Sequence, residues 1–221
     1  MKIFALDTTR KKASIYIFDT EKNIDYRDWE LLSRERESSW KVPFAKLSHK
    51  HSILQETSAD FGCEHGISLD IFPIDYWNSN KVVGRLQAIY CGLLRRCMSA
   101  SIEKSFYTKK KGIKRIILYF IWRSSRMVGT DFFRCLVEKE VAKKKKTKSC
   151  FAGCLVWTCY GKRELMPAEV FLDNITVQFE KQSYCAPCGT QYYLNSLYGN
   201  YMRDLPIEKQ KTHHAFVIYK K

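Results

Sequence analysis

A chain of 221 residues is long enough for one well-packed core with room for a subdomain, and 45% apolar residues with 14% aromatics exclude a disordered polypeptide. Its 38 Lys and Arg outweigh 23 Asp and Glu, giving a formal charge of +15. Residues 81–148 hold 19 Lys and Arg against Glu103, Asp131, Glu138 and Glu140, so that segment alone carries an excess equal to that of the whole chain.

A field of that sign attracts anionic partners: nucleotide phosphates, nucleic acid or an acidic membrane face. No RNA-recognition signature, helix-turn-helix pattern or zinc finger accompanies the charge, which leaves nucleic acid a weak reading. The longest apolar run, "IILYFIW" (Ile116 to Trp122), falls far short of the roughly 20 residues of a membrane span. The opening "MKIFALDTTRKK" has too short an apolar patch for a signal peptide and no small-residue cleavage site. The expectation is a cytoplasmic protein that can touch the inner membrane face through its basic helices. Nine cysteines, an odd number without a secretory signal, read as reduced thiols, mostly small buried hydrophobes.

In chain order, "ASIYIFDT" predicts a first strand ending near Asp19, and the mixed stretch from Asp28 to Thr57 predicts short strands and turns. In "HGISLDIFPIDYW" (His65 to Trp77), Ile67, Leu69 and Ile71 alternate onto one strand face while Ser68, Asp70 and Phe72 take the other, and Pro73 ends the strand. Val82, Leu86, Ile89, Leu93 and Cys97 recur at three- and four-residue steps and predict one face of a helix. Gly112 interrupts it. Ile113, Ile116, Ile117, Phe120 and Ile121 form a second stripe ended by Gly129, and Asp131 to Val141 a third, which "KKKKTK" unravels into a solvated loop. From Cys150 the runs shorten to "CLVWTCYG", "EVFLD" and "ITVQFE", with a tight reversal at Asp173-Asn174. Thr190 is placed as the cap of a last helix, "QYYLNSLYG", which Gly199 stops and which Tyr198 and Tyr201 pack. With no repeats and no clear linker, one α+β domain is expected.

"GISLDIFPID", followed downstream by "PAEVFLDNITVQFE", "LNSLYGNYM" and "LPIEKQKTHH", resembles the LicD family of phosphocholine transferases, and "PFAKLSHKHSILQE" resembles the stretch preceding that family's aspartate strand. The similarity runs from about Trp29 to His214. It implies a nucleotidyltransferase-like α+β fold built on a mixed sheet. It also implies transfer of phosphocholine from CDP-choline to a saccharide of lipopolysaccharide or teichoic acid type, which can be lipid-linked. In that chemistry a divalent cation, Mg²⁺, neutralises phosphate charge and a carboxylate takes the proton of the attacking hydroxyl. Asp70 resembles the third carboxylate of such a site and is the expected catalytic residue and metal ligand. His213 and His214 become candidate substrate contacts, although neighbouring residues of a strand point to opposite sides. Lys46, alternating with apolar neighbours, is a candidate phosphate contact.

The family's opening Gly-Gly element and its aspartate-rich strand are missing, and no Asp-x-Asp occurs anywhere. The chain is therefore expected either to be incomplete at its amino terminus or to have lost catalysis, with weak or absent turnover. Asp75, just past Pro73, can approach the metal or cap a turn, and the turn is the preferred reading. Three alternatives stand beside the transferase. The first is a non-catalytic relative that binds glycan or membrane. The second is a thiol oxidoreductase using Cys185 and Cys188 of "YCAPCG", set between a strand and a helix. The third is a zinc site drawn from Cys150, Cys154, Cys159, Cys185 and Cys188, whose spacings of four and five are loose for that metal.

Overall fold

A computed structural model describes residues 26–143, 149–179, 181–203 and 216–221. The first predicted strand, the end of the lysine-rich loop, and His213 and His214 lie outside the described residues. The rest is a mixed α+β chain with four helices and several small antiparallel sheets. Its contacts divide it into two compact units, each discontinuous in sequence.

Among the described residues, the first unit comprises 26–71, 90–143 and 216–221. Strands β1 (Trp29–Leu32), β2 (Ala45–His49) and β4 (Ser68–Ile71) form an antiparallel sheet in the order β1-β2-β4. Strand β3 (Ser52–Glu56) instead pairs with β10 (Phe216–Lys220). Trp40 and Val42 anchor the core, fully buried in the segment leading into β2, and Trp40 Nε1 donates to the Phe44 carbonyl at 2.8 Å. Of the alternating trio expected to face the core, only Ile71 is buried; Ile67 and Leu69 are exposed. The reason is position: β4 is an edge strand, so an apolar rhythm there does not guarantee a second layer above it.

Helix α1 (Lys81–Ile102) begins where Asn80 Oδ1 accepts the backbone amides of Val82 and Val83 at 2.9 and 3.3 Å. The predicted stripe Val82, Leu86, Ile89, Leu93 is its exposed side. The buried side is the opposite one, Ala88, Cys91, Leu94, Met98 and Ile102. A helix with two apolar stripes offers periodicity for both, and the one with Ala and Cys permits the closer approach. Helices α2 (Ile113–Val128) and α3 (Thr130–Ala142) are separated by Gly129, which ends one and opens the other at φ 87°. Val137 and Val141 carry α3 into the core.

Among the described residues, the second unit comprises 72–89, 149–179 and 181–203. Strands β5 (Asp75–Tyr76), β6 (Phe151–Gly153) and β7 (Met166–Pro167) pair antiparallel beside a core of Ala152, Met166, Ala168, Val170, Phe171 and Leu197. "EVFLD" is not a strand: Ala168–Phe171 is a 3₁₀ turn, and β8 (Asn174–Phe179) pairs with β9 (Gln182–Pro187) rather than folding back on it. Helix α4 (Thr190–Tyr198) follows and ends at Gly199 as expected, at φ 72°. Thr190 does not cap it; Gly189 stands at that position and the Thr190 hydroxyl donates to the Pro187 carbonyl. Every strand pair among the described residues is antiparallel, in four separate sheets instead of one mixed sheet.

Candidate functional site

Strands β2 and β4 place Lys46 and Asp70 directly opposite one another in register. Cross-strand partners in an antiparallel pair share a face, so both side chains rise from the same side of the sheet. Lys46 Nζ lies 3.0 Å from Asp70 Oδ1. The lysine is nearly buried (11% exposed) and the aspartate is open (40%). The same ammonium sits 4.7 Å from the centroid of the Phe61 ring, a cation–π arrangement. Phe61 stacks on Trp40 at 5.9 Å and meets His65 edge-on at 5.4 Å.

The segment carrying Phe61 and His65 is pinned by the sheet beneath it. Lys41 N donates to Phe61 O at 3.0 Å, Gly66 N to Ser48 Oγ at 2.8 Å, and Ile67 N to Ser52 Oγ at 3.0 Å. Gly62 makes the turn at φ 97°, and a Cβ there would stand 1.8 Å from the Ser39 carbonyl oxygen. Asp60, bonded to Lys41 and to the Gly62 amide, has its carboxyl held below the ordinary value by the lysine first of all.

His65 is the chemically distinctive member. It is buried, its ring bonds the backbone of Cys63, and its Nε2 has no hydrogen-bond partner. Burial, with the Lys46 charge, pushes its pKa below 6.5, outweighing the opposite pull of Cys63, Glu56 and Asp70. The ring is therefore neutral at pH 7; with its N–H given to the Cys63 backbone, the enclosed Nε2 is left as an acceptor. It lines a cleft of about 470 Å³ together with Leu54, Glu56, Phe61, Cys63 and Lys104. Lys104 Nζ donates to the Glu56 carbonyl at 2.7 Å, fixing one wall. A carboxylate braced by a cation, with a neutral imidazole nearby, can accept a hydroxyl proton and hold an anionic group.

The structure thus brings together Lys46 and Asp70 of the expected site residues, and adds His65 and Phe61, which the sequence did not single out. The signal was present in "CEHG", a histidine beside a glycine at the entry to the aspartate strand. Asp75 belongs to the other unit. It is not a turn residue but a buried member of β5 opposite Gly153, because Pro73 ends β4 without preventing the chain from pairing again two residues later.

The donor set does not fit a resident Mg²⁺. That ion takes six oxygens in near-octahedral geometry, whereas Asp70 is a single carboxylate whose partner is already a cation. Among the described residues no three His, Cys, Asp or Glu side chains converge as ligands, and this includes the cysteines weighed for zinc. Cys185 lies within β9 and not at a helix start, and Cys188 Sγ donates to Glu169 O at 3.2 Å. Burial pushes Cys91 up to about 12 and holds Cys154 well above the ordinary thiol value. Among the described residues no helix is long and apolar enough to cross a membrane. No family model, curated protein or solved structure matches the chain.

Proposed function

We propose that the chain is a LicD-like phosphotransferase domain, of nucleotidyltransferase-like fold, that engages a CDP-choline-like donor and a saccharide acceptor at Asp70, Lys46 and His65. The observation that carries this reading is the open Asp70 carboxylate held by Lys46 on an edge strand, beside the neutral ring of His65. In the reaction a sugar hydroxyl attacks the choline-linked phosphorus, the new O–P bond forms, the bond to CMP breaks, and the hydroxyl proton passes to a base. Asp70, whose Oδ1 is engaged, offers its second oxygen to that hydroxyl. Lys46 supplies positive charge toward the phosphate. His65, its Nε2 enclosed, keeps a neutral ring packed beside that pair.

Turnover is weak or absent in this reading, since a lone carboxylate replaces the family's three. Calorimetry of CDP-choline against the full chain, with CMP release followed in parallel, tests it. Affinity that drops in Lys46→Met supports the reading. Absence of nucleotide binding removes it and leaves the non-catalytic glycan- or membrane-binding relative, which the lone carboxylate also favours.

A further inference from the structure

Helix α2 is turned the wrong way round for a helix that serves its own core. Ile113, Ile116, Ile117, Phe120, Met127 and Val128 recur at helical spacing and form one continuous face, yet each is at least half exposed. The side turned inward finds cover only past Ile121, because residues 113–121 are exposed all round. It buries Ser125 and packs Trp122 against Phe106 at 5.8 Å, with the Arg126 guanidinium 5.2 Å over the indole. Arg126 also donates to the Glu103 carbonyl, fixing the helix in that orientation.

The charge around this face is of one sign. From Lys104 to Thr130 the sequence holds eight basic residues (Lys104, Lys109, Lys110, Lys111, Lys114, Arg115, Arg123 and Arg126) and neither Asp nor Glu. Lys109, Lys110 and Lys111 lead directly into the helix and are exposed, as are Lys114, Arg115 and Arg123. One further aromatic ring, Tyr119, meets Phe106 edge-on at 5.4 Å.

The geometry points to α2 as an in-plane anchor that lays its Ile113–Val128 apolar face into an anionic lipid surface, with the Lys109–Lys111 run held at the headgroups. A helix with a strong apolar face, basic flanks and no acid is the pattern that binds at the interface of a bilayer without crossing it. Two other occupants fit less well. A second copy would bring the Lys109–Lys111 runs of the two chains into one contact with no acid on α2 to offset them. A nucleic acid would neutralise the lysines but leave six large apolar side chains in water. The inference does not depend on the phosphotransfer reading, because a chain without nucleotide affinity would still bind vesicles.

Co-sedimentation of the full chain with vesicles tests it, using phosphatidylcholine alone and phosphatidylcholine mixed equally with phosphatidylserine. The chain is expected to pellet with the mixed vesicles at least about tenfold more strongly than with the neutral ones, and to be released at about 1 M salt, where the Debye length falls to about 3 Å. Ile117→Asp/Phe120→Asp is expected to lose at least about tenfold in binding. Both positions are exposed, and unchanged far-UV circular dichroism establishes that the variant folds. A second variant, Lys109→Gln/Lys110→Gln/Lys111→Gln, changes only solvated positions and is expected to weaken pelleting with mixed vesicles selectively. A chain that stays in the supernatant with both vesicles overturns the proposal. So does a dimer, seen by sedimentation velocity and abolished by Ile117→Asp/Phe120→Asp, which assigns the face to a second copy.

Discussion

Asp70 stands opposite Lys46 across β2 and β4, with Oδ1 and Nζ 3.0 Å apart, and the more buried partner is the cation. Replacing the carboxylate with an amide therefore takes the counter-charge from a nearly buried ammonium that also sits over the Phe61 ring. Asp70→Asn is expected to cost about 1.5–3 kcal/mol, the worth of a hydrogen bond to a charged group. Asp60→Asn, which breaks the exposed pair with Lys41, is expected to cost under about 1 kcal/mol. Urea unfolding of the two variants measures the difference.

His65 supplies a pH signature. Its pKa in the folded chain lies below 6.5, so as pH falls the unfolded chain takes up a proton that the folded chain refuses. This part of the stability is intact above the ordinary histidine value and is lost as pH drops below about 6.5 toward the folded pKa. His65→Gln cannot titrate and is expected to show a flatter stability profile between about pH 6.5 and 5 in thermal melts.

Gly62 and Gly112 separate two costs of a left-handed backbone. Both have positive φ, 97° and 60°, but a Cβ at Gly62 meets the Ser39 carbonyl at 1.8 Å while nothing stands within 4 Å of one at Gly112. Gly112→Ala is expected to lose about 1 kcal/mol from strain alone. Gly62→Ala is expected to lose more than about 3 kcal/mol, since the loop carrying Phe61 and His65 must move. Denaturant midpoints distinguish them.

The cysteines divide by exposure. Cys135, Cys150, Cys159 and Cys188 are exposed, whereas Cys91 is buried with its thiol pushed up to about 12. Iodoacetamide followed by peptide mass mapping is expected to label the exposed set in the native chain and Cys91 only after unfolding. Cys188 uses its S–H as a donor to Glu169 O, and Cys185 lies within β9 instead of at a helix start. Insulin reduction by the wild-type chain is accordingly expected to match that of Cys185→Ser/Cys188→Ser.

Several elements were legible in the sequence because the chain marks them locally. Gly112, Gly129 and Gly199 bound α2, α3 and α4 where the glycines stand. What local pattern cannot supply is which side of an element finds a neighbour. The rhythm of Val82, Leu86 and Ile89 is genuine, yet their side of α1 is exposed while Ala88 and Cys91 are buried. The same limit applies at Ile67 and Leu69, on an edge strand whose register only the pairing with β2 reveals. At the site, Lys46 and Asp70 were each visible as a charge among apolar neighbours. Their pairing across 24 residues was not, and neither was His65, whose importance comes from burial and an unpartnered nitrogen.

The imidazole of His65 gives the most direct reading of the site. In a nitrogen-detected NMR titration of the full chain with CDP-choline, the Nε2 resonance, assigned by its loss in His65→Gln, is expected to shift progressively and saturate, and to do so only weakly in Lys46→Met. A resonance that stays in place up to millimolar nucleotide would contradict the assignment of this cluster as the donor site.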